Sequence, residues 1–188
     1  MKRAPRKFLA LALIVVAAAF VAGCTPQARK ARHQAKADKY YDAGAFSQAE
    51  VEYLNVAKLD QNNAHAMGRL GLIYFEEGRI ARAYQFLAKA KGLDPTDLPV
   101  RLRMGFLNLS LGNAKAAREE AMAVLEKNPK YPEAALLLAE TGRTQKDAEA
   151  VRQRLDKLVQ QTGITAESEI GYGALDYIAT KFKEAELR

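Results

Sequence analysis

The chain has one cysteine, two histidines and no tryptophan in 188 residues, and these scarcities remove most catalytic and metal-binding readings at the outset. A reaction needs a nucleophile, an acid, a base or a metal held in fixed geometry. Cys24 is the only thiol. His33 and His65 stand far apart, and neither has a second His or Cys at i+3 or i+4, so metal-ligand spacing is absent. The glycines punctuate the chain singly and form no phosphate-cradling run. Adjacent acids at Glu76-Glu77 and Glu119-Glu120 point in different directions on a helix and read as solubilising charge. The expectation is a non-catalytic protein with no metal and no cofactor.

Long apolar runs are almost as scarce. The first segment holds one, Phe8 to Ala22, behind the basic stretch MKRAPRK and ahead of Val21-Ala22-Gly23-Cys24. This arrangement resembles a bacterial lipoprotein signal with its lipobox. The resemblance implies cleavage before Cys24, lipidation of its sulfur and acylation of the new amino terminus. Residues 1–23 would then be a signal peptide and 24–29 the lipidated cysteine with a short linker. Several acyl chains anchor firmly, since each buried CH₂ adds roughly 0.8 kcal/mol. An uncleaved membrane helix and an ordinary cleaved signal with a free thiol are the alternatives.

Charge of one sign is not abundant either. The net +7 falls to +3 from Cys24 onward, because Lys2, Arg3, Arg6 and Lys7 lie in the signal segment. The remainder is spread along helix faces, so a nucleic-acid partner is not expected. Arg29, Lys30, Arg32, Lys36 and Lys39 sit just after the anchor, within reach of anionic headgroups or simply solvated.

With 49% hydrophobic and 27% charged residues the chain has the composition of a folded protein, and its pattern repeats. In Ala64 to Asp97, Met67, Leu70, Gly71 and Tyr74 fall on one helical face. Gly78 ends that helix. Ile80, Ala83, Leu87 and Ala90 draw a second stripe, which Gly92 and Asp94-Pro95 stop. At one constant spacing, Gly44, Gly78 and Gly112 recur at the turn, Ala49, Ala83 and Ala117 in the second helix, and Ala37, Gly71, Gly105 and Ala139 in the first. Asp60, Asp94 and Asn128 precede the same inter-repeat turn, with Pro95 and Pro129 after two of them. Small residues at fixed register are what closely crossing helices require.

This pattern resembles the tetratricopeptide repeat family, with Gly71, Tyr74, Gly78, Ala83, Ala90 and Pro95 in register. The resemblance implies an all-α fold, a right-handed α-solenoid of antiparallel helix hairpins with period 34. Four units are expected at 30–63, 64–97, 98–131 and 132–165. The first keeps Ala37, Tyr40, Gly44, Ala49 and Tyr53 but puts His33 and Lys36 at apolar positions, as a polar cap would. The third has Asn108 at the aromatic position. In the fourth, Gly142 replaces the aromatic and Lys146 the turn glycine, so its first helix should end early. Thr144 and Asp147 should cap a second helix that runs to about Gln161, closed by Thr162-Gly163. Residues 166–188 are a partial fifth repeat, as in a truncated longer protein, or a capping helix.

In the family a groove along the first helices binds partners, at positions that here are His65, Gly68, Leu72, Phe75 and Glu76, then Pro99, Leu102, Phe106, Leu109 and Ser110. Leu72, Phe75, Glu76, Leu102, Phe106 and Leu109 are the candidate binding residues. Gly68, Leu102, Leu72 and Phe106 replace the Lys and Asn of carboxylate-clamping relatives. The partner implied is therefore an apolar helix or extended segment, unless these residues pack against a neighbouring helix of the chain itself. The resemblance extends to membrane-anchored tetratricopeptide lipoproteins of cell-envelope or exopolysaccharide assembly, including those of PEP-CTERM sorting systems. Pilus or outer-membrane assembly lipoproteins are an alternative, as is the anchored front of a longer protein with an enzymatic domain. The expected location is a membrane facing the periplasm, and Thr25 after the cysteine is compatible with the outer membrane.

Overall fold

The computed structural model describes residues 25–142 and 144–186, so the signal segment and Cys24 lie outside the described residues. Those residues form helices without strands: α1 (Pro26–Asp42), α2 (Phe46–Leu59), α3 (Ala64–Glu76), α4 (Ile80–Leu93), α5 (Leu98–Ser110), α6 (Ala114–Lys127), α7 (Pro132–Glu140), α8 (Gln145–Thr162) and α9 (Ala166–Glu186). Helices α3, α5, α7 and α9 begin at Ala64, Leu98, Pro132 and Ala166, and α2, α4 and α6 begin at Phe46, Ile80 and Ala114, so both series keep one constant step. The fold is the all-α class of repeated helix hairpins that the spacing of small residues predicts.

Two local devices set that period. At the turn inside each of the first three hairpins, Gly44, Gly78 and Gly112 have φ of +70°, +69° and +81°, a conformation that an L side chain adopts only with strain. Between hairpins, Asp60, Asp94 and Asn128 each accept a hydrogen bond from the backbone N–H two residues on, at 3.1, 2.9 and 3.2 Å. That Asx geometry explains why Asp or Asn recurs there.

The chain forms two compact units that meet at Leu70 and Gly71, within α3. In the first, α1 opens on Thr25, whose hydroxyl accepts from the Ala28 N–H at 3.1 Å, with Pro26 in the first turn. Ala37 and Ala49 are fully buried between α1 and α2. The polar residues of this hairpin are paired across it: His33 Nδ1 donates to Glu52 at 2.5 Å and Lys30 to Asp60 at 2.8 Å. Tyr40, which the repeat register places at the aromatic position, is 37% exposed. Its neighbour Tyr41 packs instead on Phe46 and edge-on to the buried Tyr53. The Tyr53 hydroxyl and the His65 ring both donate to Asp38, at 2.6 and 2.7 Å. Burial pushes the Asp38 carboxyl up, but these hydrogen bonds and the charges of His65 and Arg69 outweigh it and hold it below the ordinary range.

The second unit is organised by close helix crossings. A Cβ built on Gly71 would lie 2.6 Å from Leu87 Cγ and 2.9 Å from the Leu87 backbone nitrogen. At Gly105, one period later, a Cβ would collide with Leu137 and come within 3.3 Å of the Glu120 Cβ. Around these crossings Leu102, Leu109, Val124, Leu125, Leu137, Leu138, Val151, Leu155 and Leu175 form one buried cluster.

The fourth hairpin departs from the period as its sequence predicts. Helix α7 has nine residues where α3 and α5 have thirteen, and α8 begins at Gln145, short of Ala148, where the step of α2, α4 and α6 would put it. Arg118 of α6 stabilises the early ending: its guanidinium donates to the Thr141 carbonyl at 3.1 Å and to Asp147 at 2.8 Å. Thr144 caps α8 by accepting from the Asp147 N–H at 3.1 Å. Gly142 allows closure, since a Cβ there would lie 3.0 Å from Leu175 and 3.1 Å from the Ala148 Cα. Replacing Thr144 with alanine should cost about 1 kcal/mol, read as a lowered midpoint in urea.

A pH dependence follows from the same joint. The Arg118 side chain, then the Thr144 hydroxyl, holds the Asp147 carboxyl below its ordinary value. A carboxyl lowered on folding stabilises above its unfolded pKa, and that contribution disappears as pH falls through the folded value. Asp147→Asn should therefore lower the melting temperature at neutral pH, and its difference from wild type should shrink below about pH 4. A difference that stayed constant down to about pH 2.5 would show that charge is not the cause.

Residues 166–188, expected as a partial fifth repeat or a cap, contain one continuous helix over Ala166–Glu186. Leu175 is buried in the core cluster, and Gly171 lies against the Leu155 side chain and the Ala135 carbonyl. Among the described residues, no helix is long and apolar enough to cross a membrane.

Candidate interaction surface

The six candidate binding residues all lie in the second unit, on consecutive first helices α3 and α5. They do not form an open apolar wall. Leu72, Leu102 and Leu109 are buried, at 8%, 1% and 5% exposure. Leu102 and Leu109 share their cluster with α7 and with Leu175 of α9, and Phe106 packs half-buried against it. For the three leucines the expected open groove is corrected to internal packing: apolar side chains at these register positions are close enough to the core to be absorbed by it.

What stays accessible is a mixed aromatic and charged surface. Phe75 is half-buried, and the Arg103 guanidinium lies over its ring at 5.4 Å. Arg103 also donates to the exposed Glu76 carboxylate at 3.3 Å, which ties α5 to α3. The same guanidinium adds positive potential beside Tyr131, whose hydroxyl pKa is raised by burial and by the Glu133 carboxylate against that influence. Of the remaining register positions, Pro99 and Ser110 are exposed in this unit, while Gly68 is buried and His65 exposed in the other. Arg103 was missed because it lies one place beyond the register positions considered. Its only sequence signal is a cation flanked by the apolar Leu102 and Met104, one period after Arg69.

Glu120 requires the clearest correction. Expected as a solubilising charge, it is 5% exposed. Its carboxylate accepts from Lys91 Nζ of α4 and, at 2.7 Å, from Arg101 Nη1 of α5. Arg101 also reaches the Pro95 carbonyl with its Nε, at 2.5 Å. One carboxylate on α6 thus draws together the end of one hairpin and the start of the next. The companion Glu119 is exposed, as are Glu76 and Glu77.

Nothing in these arrangements pairs a nucleophile with a base. The histidines pair with Glu52 and Asp38, and among the described residues no group of three or more His, Cys, Asp or Glu side chains could hold a metal. A cleft of about 540 Å³ between α6 and α8 is lined by Met122, Glu126, Arg154, Lys157, Leu158 and Gln161. Its surface mixes both charges with apolar side chains.

Two models described as tetratricopeptide repeat match residues 35–97 and 74–140, together more than half of the chain. The chain belongs to the tetratricopeptide repeat family. Solved structures share its fold at low identity. A tetratricopeptide repeat protein from Parabacteroides merdae ATCC 43184 is 17% identical with a TM-score of 0.65, over 84% of this chain and 63% of that one. MamA (residues 41–end) from Desulfovibrio magneticus RS-1 is 17% identical with a TM-score of 0.60, over 84% and 95%. The first tetratricopeptide domain of Spaghetti (RPAP3), solved with the HSP90 peptide SRMEEVD, is 22% identical with a TM-score of 0.51, over 66% and 94%. Among curated proteins, none matches the sequence significantly.

Proposed function

We propose that this tetratricopeptide protein is a non-catalytic scaffold that binds a protein segment across α3 and α5. The observation that carries the proposal is the group Phe75, Glu76 and Arg103, which joins α3 to α5 at the surface, with Phe106 half-buried on α5. Aromatic rings and arginine are the residue types that dominate protein interfaces. The Spaghetti domain's HSP90 peptide supports peptide binding as a use of this fold. A carboxylate clamp does not fit here, because Gly68, Leu72, Leu102 and Phe106 occupy its positions. The segment we expect is apolar, with an acidic group opposite Arg103.

Photoreactive residues at Phe75 and Phe106 in intact cells test this. Capture of one protein by both positions is the expected result. Capture of only the chain's own residues would overturn the proposal. With that partner in hand, the double substitution Phe75→Ala and Arg103→Ala should weaken binding about tenfold or more with unchanged helical circular dichroism, since central aromatic and arginine anchors each exceed about 1 kcal/mol.

The proposal includes anchoring through lipid on Cys24, at an envelope membrane facing the periplasm, with the outer membrane favoured by Thr25. The basic stretch, apolar run and lipobox-like Val21-Ala22-Gly23-Cys24 support this part. Its biological setting would be cell-envelope or exopolysaccharide assembly. Metabolic labelling with a fatty-acid analogue should mark the wild type and not Cys24→Ala. Equal labelling of both would remove the anchor from the proposal.

A further inference from the structure

The outward face of α9 has a seam that the other described residues leave uncovered. Ala166, Ile170, Gly173, Tyr177 and Thr180 are spaced alternately four and three residues apart, the spacing of a helix-pairing seam. All five are exposed, with Ile170 at 47% and Tyr177 at 66%. The opposite face, with Ser168, Gly171 and Leu175, is the buried one. Gly173 stands in register with Gly71 and Gly105. At those two positions a neighbouring helix roofs the glycine so closely that a Cβ would collide, whereas at Gly173 no atom of the described residues lies within 4 Å.

We propose that α9 pairs antiparallel with α9 of a second copy of this chain. In that arrangement a two-fold axis passes near the level of Leu175. The Tyr177 ring of each copy then fills the space over Gly173 of the other, which gives the reciprocal contact of an isologous interface. Charge selects both the direction and the occupant. Glu167 and Glu169 lie in the first turn of α9, and Lys181 and Lys183 lie near its end. Antiparallel pairing sets Glu167 opposite Lys181 and Glu169 opposite Lys183 at the flanking positions, twice over. Parallel pairing would keep only Asp176 opposite Lys181 and would bring the two acidic first turns side by side. Asp176 meets its own counterpart near the axis, but each carries the Arg152 guanidinium as an ion-pair partner, which offsets the repulsion. This surface is separate from the one on α3 and α5, and its test does not depend on that proposal.

The test uses the full chain, with two differently tagged copies co-expressed and a benzophenone amino acid at Tyr177. The expected result on irradiation is a covalent species containing both tags, joined between two α9 peptides. No adduct, adducts to other proteins, or adducts only within one copy would overturn the proposal. Lys181→Glu with Lys183→Glu should reduce the mixed species about tenfold, the scale of several exposed charge pairs reversed at once. Adding Glu167→Lys and Glu169→Lys should restore it. A yield that ignores the first exchange, or that the second fails to restore, would show that the helices do not pair in this register.

Discussion

Alanine at Gly71 should destabilise the protein by about 1–2 kcal/mol, although alanine is the better helix former. Two effects of opposite sign compete. In a helix interior, Gly→Ala gains about 1 kcal/mol from reduced backbone entropy. Against this, the new methyl would lie 2.6 and 2.7 Å from Leu87 side-chain atoms and 2.9 Å from its backbone nitrogen. A flexible side chain can swing aside, but a backbone nitrogen moves only with its helix, so α4 must shift away from α3. Overpacking of this kind costs typically about 1–3 kcal/mol and more where backbone is displaced. Gly173→Ala is the matched control. The same register position has no described atom of its own chain within 4 Å, so in the unpaired single copy only the propensity gain remains and the change should stabilise by about 0.5–1 kcal/mol. Urea midpoints for the pair should move in opposite directions. If both moved upward, the crossing at Gly71 would be looser than described.

The second large effect is expected at Glu120. Its removal leaves Lys91 and Arg101 facing one another across a site from which their counter-charge has gone. Breaking a fully buried ion pair costs about 3–5 kcal/mol. Here the Lys91 and Arg101 side chains keep 34% and 22% of their exposure, so water can solvate them partly, and about 2–3 kcal/mol is expected for Glu120→Ala. For a chain of this size that is a fall of roughly 4–12 °C in the melting temperature. Glu120→Gln should fall between alanine and wild type, because the amide keeps the packing and one acceptor but not the charge. Glu119→Ala, one residue away and exposed, should change stability by less than about 0.5 kcal/mol. Equal effects at 119 and 120 would contradict the buried clasp.

These two positions also mark what was legible in the sequence. The crossing at Gly71 could be read because its requirement is local and repeated: a small residue returns once in every period, with the turn glycine seven places later. The early end of α7 could be read as well, since Gly142, Lys146, Thr144 and Asp147 are neighbours whose joint meaning is a cap. Glu120 could not. On paper Glu119-Glu120 and Glu76-Glu77 are equivalent pairs, and what separates them is a lysine 29 residues and an arginine 19 residues earlier. The candidate surface was half legible for the same reason. Register placed Leu72, Leu102 and Leu109 on the correct helices, but their burial depends on α7, α9 and the helices beside them. Arg103 is defined as a surface residue only by the ring and carboxylate it meets on another helix.

The reach of the clasps carries a consequence for kinetics. Lys91–Glu120 and Arg118–Asp147 each close a loop of 29 residues, and Lys30–Asp60 one of 30. Contacts of such short range require little loop-closure entropy before they form, which places the chain among rapidly folding topologies. The Lys91–Glu120 and Arg118–Asp147 clasps each tie one hairpin to the next. Pulled from its two ends, the molecule should therefore come apart in successive steps of about one repeat's length, and its amide protons should exchange in graded blocks rather than all at once.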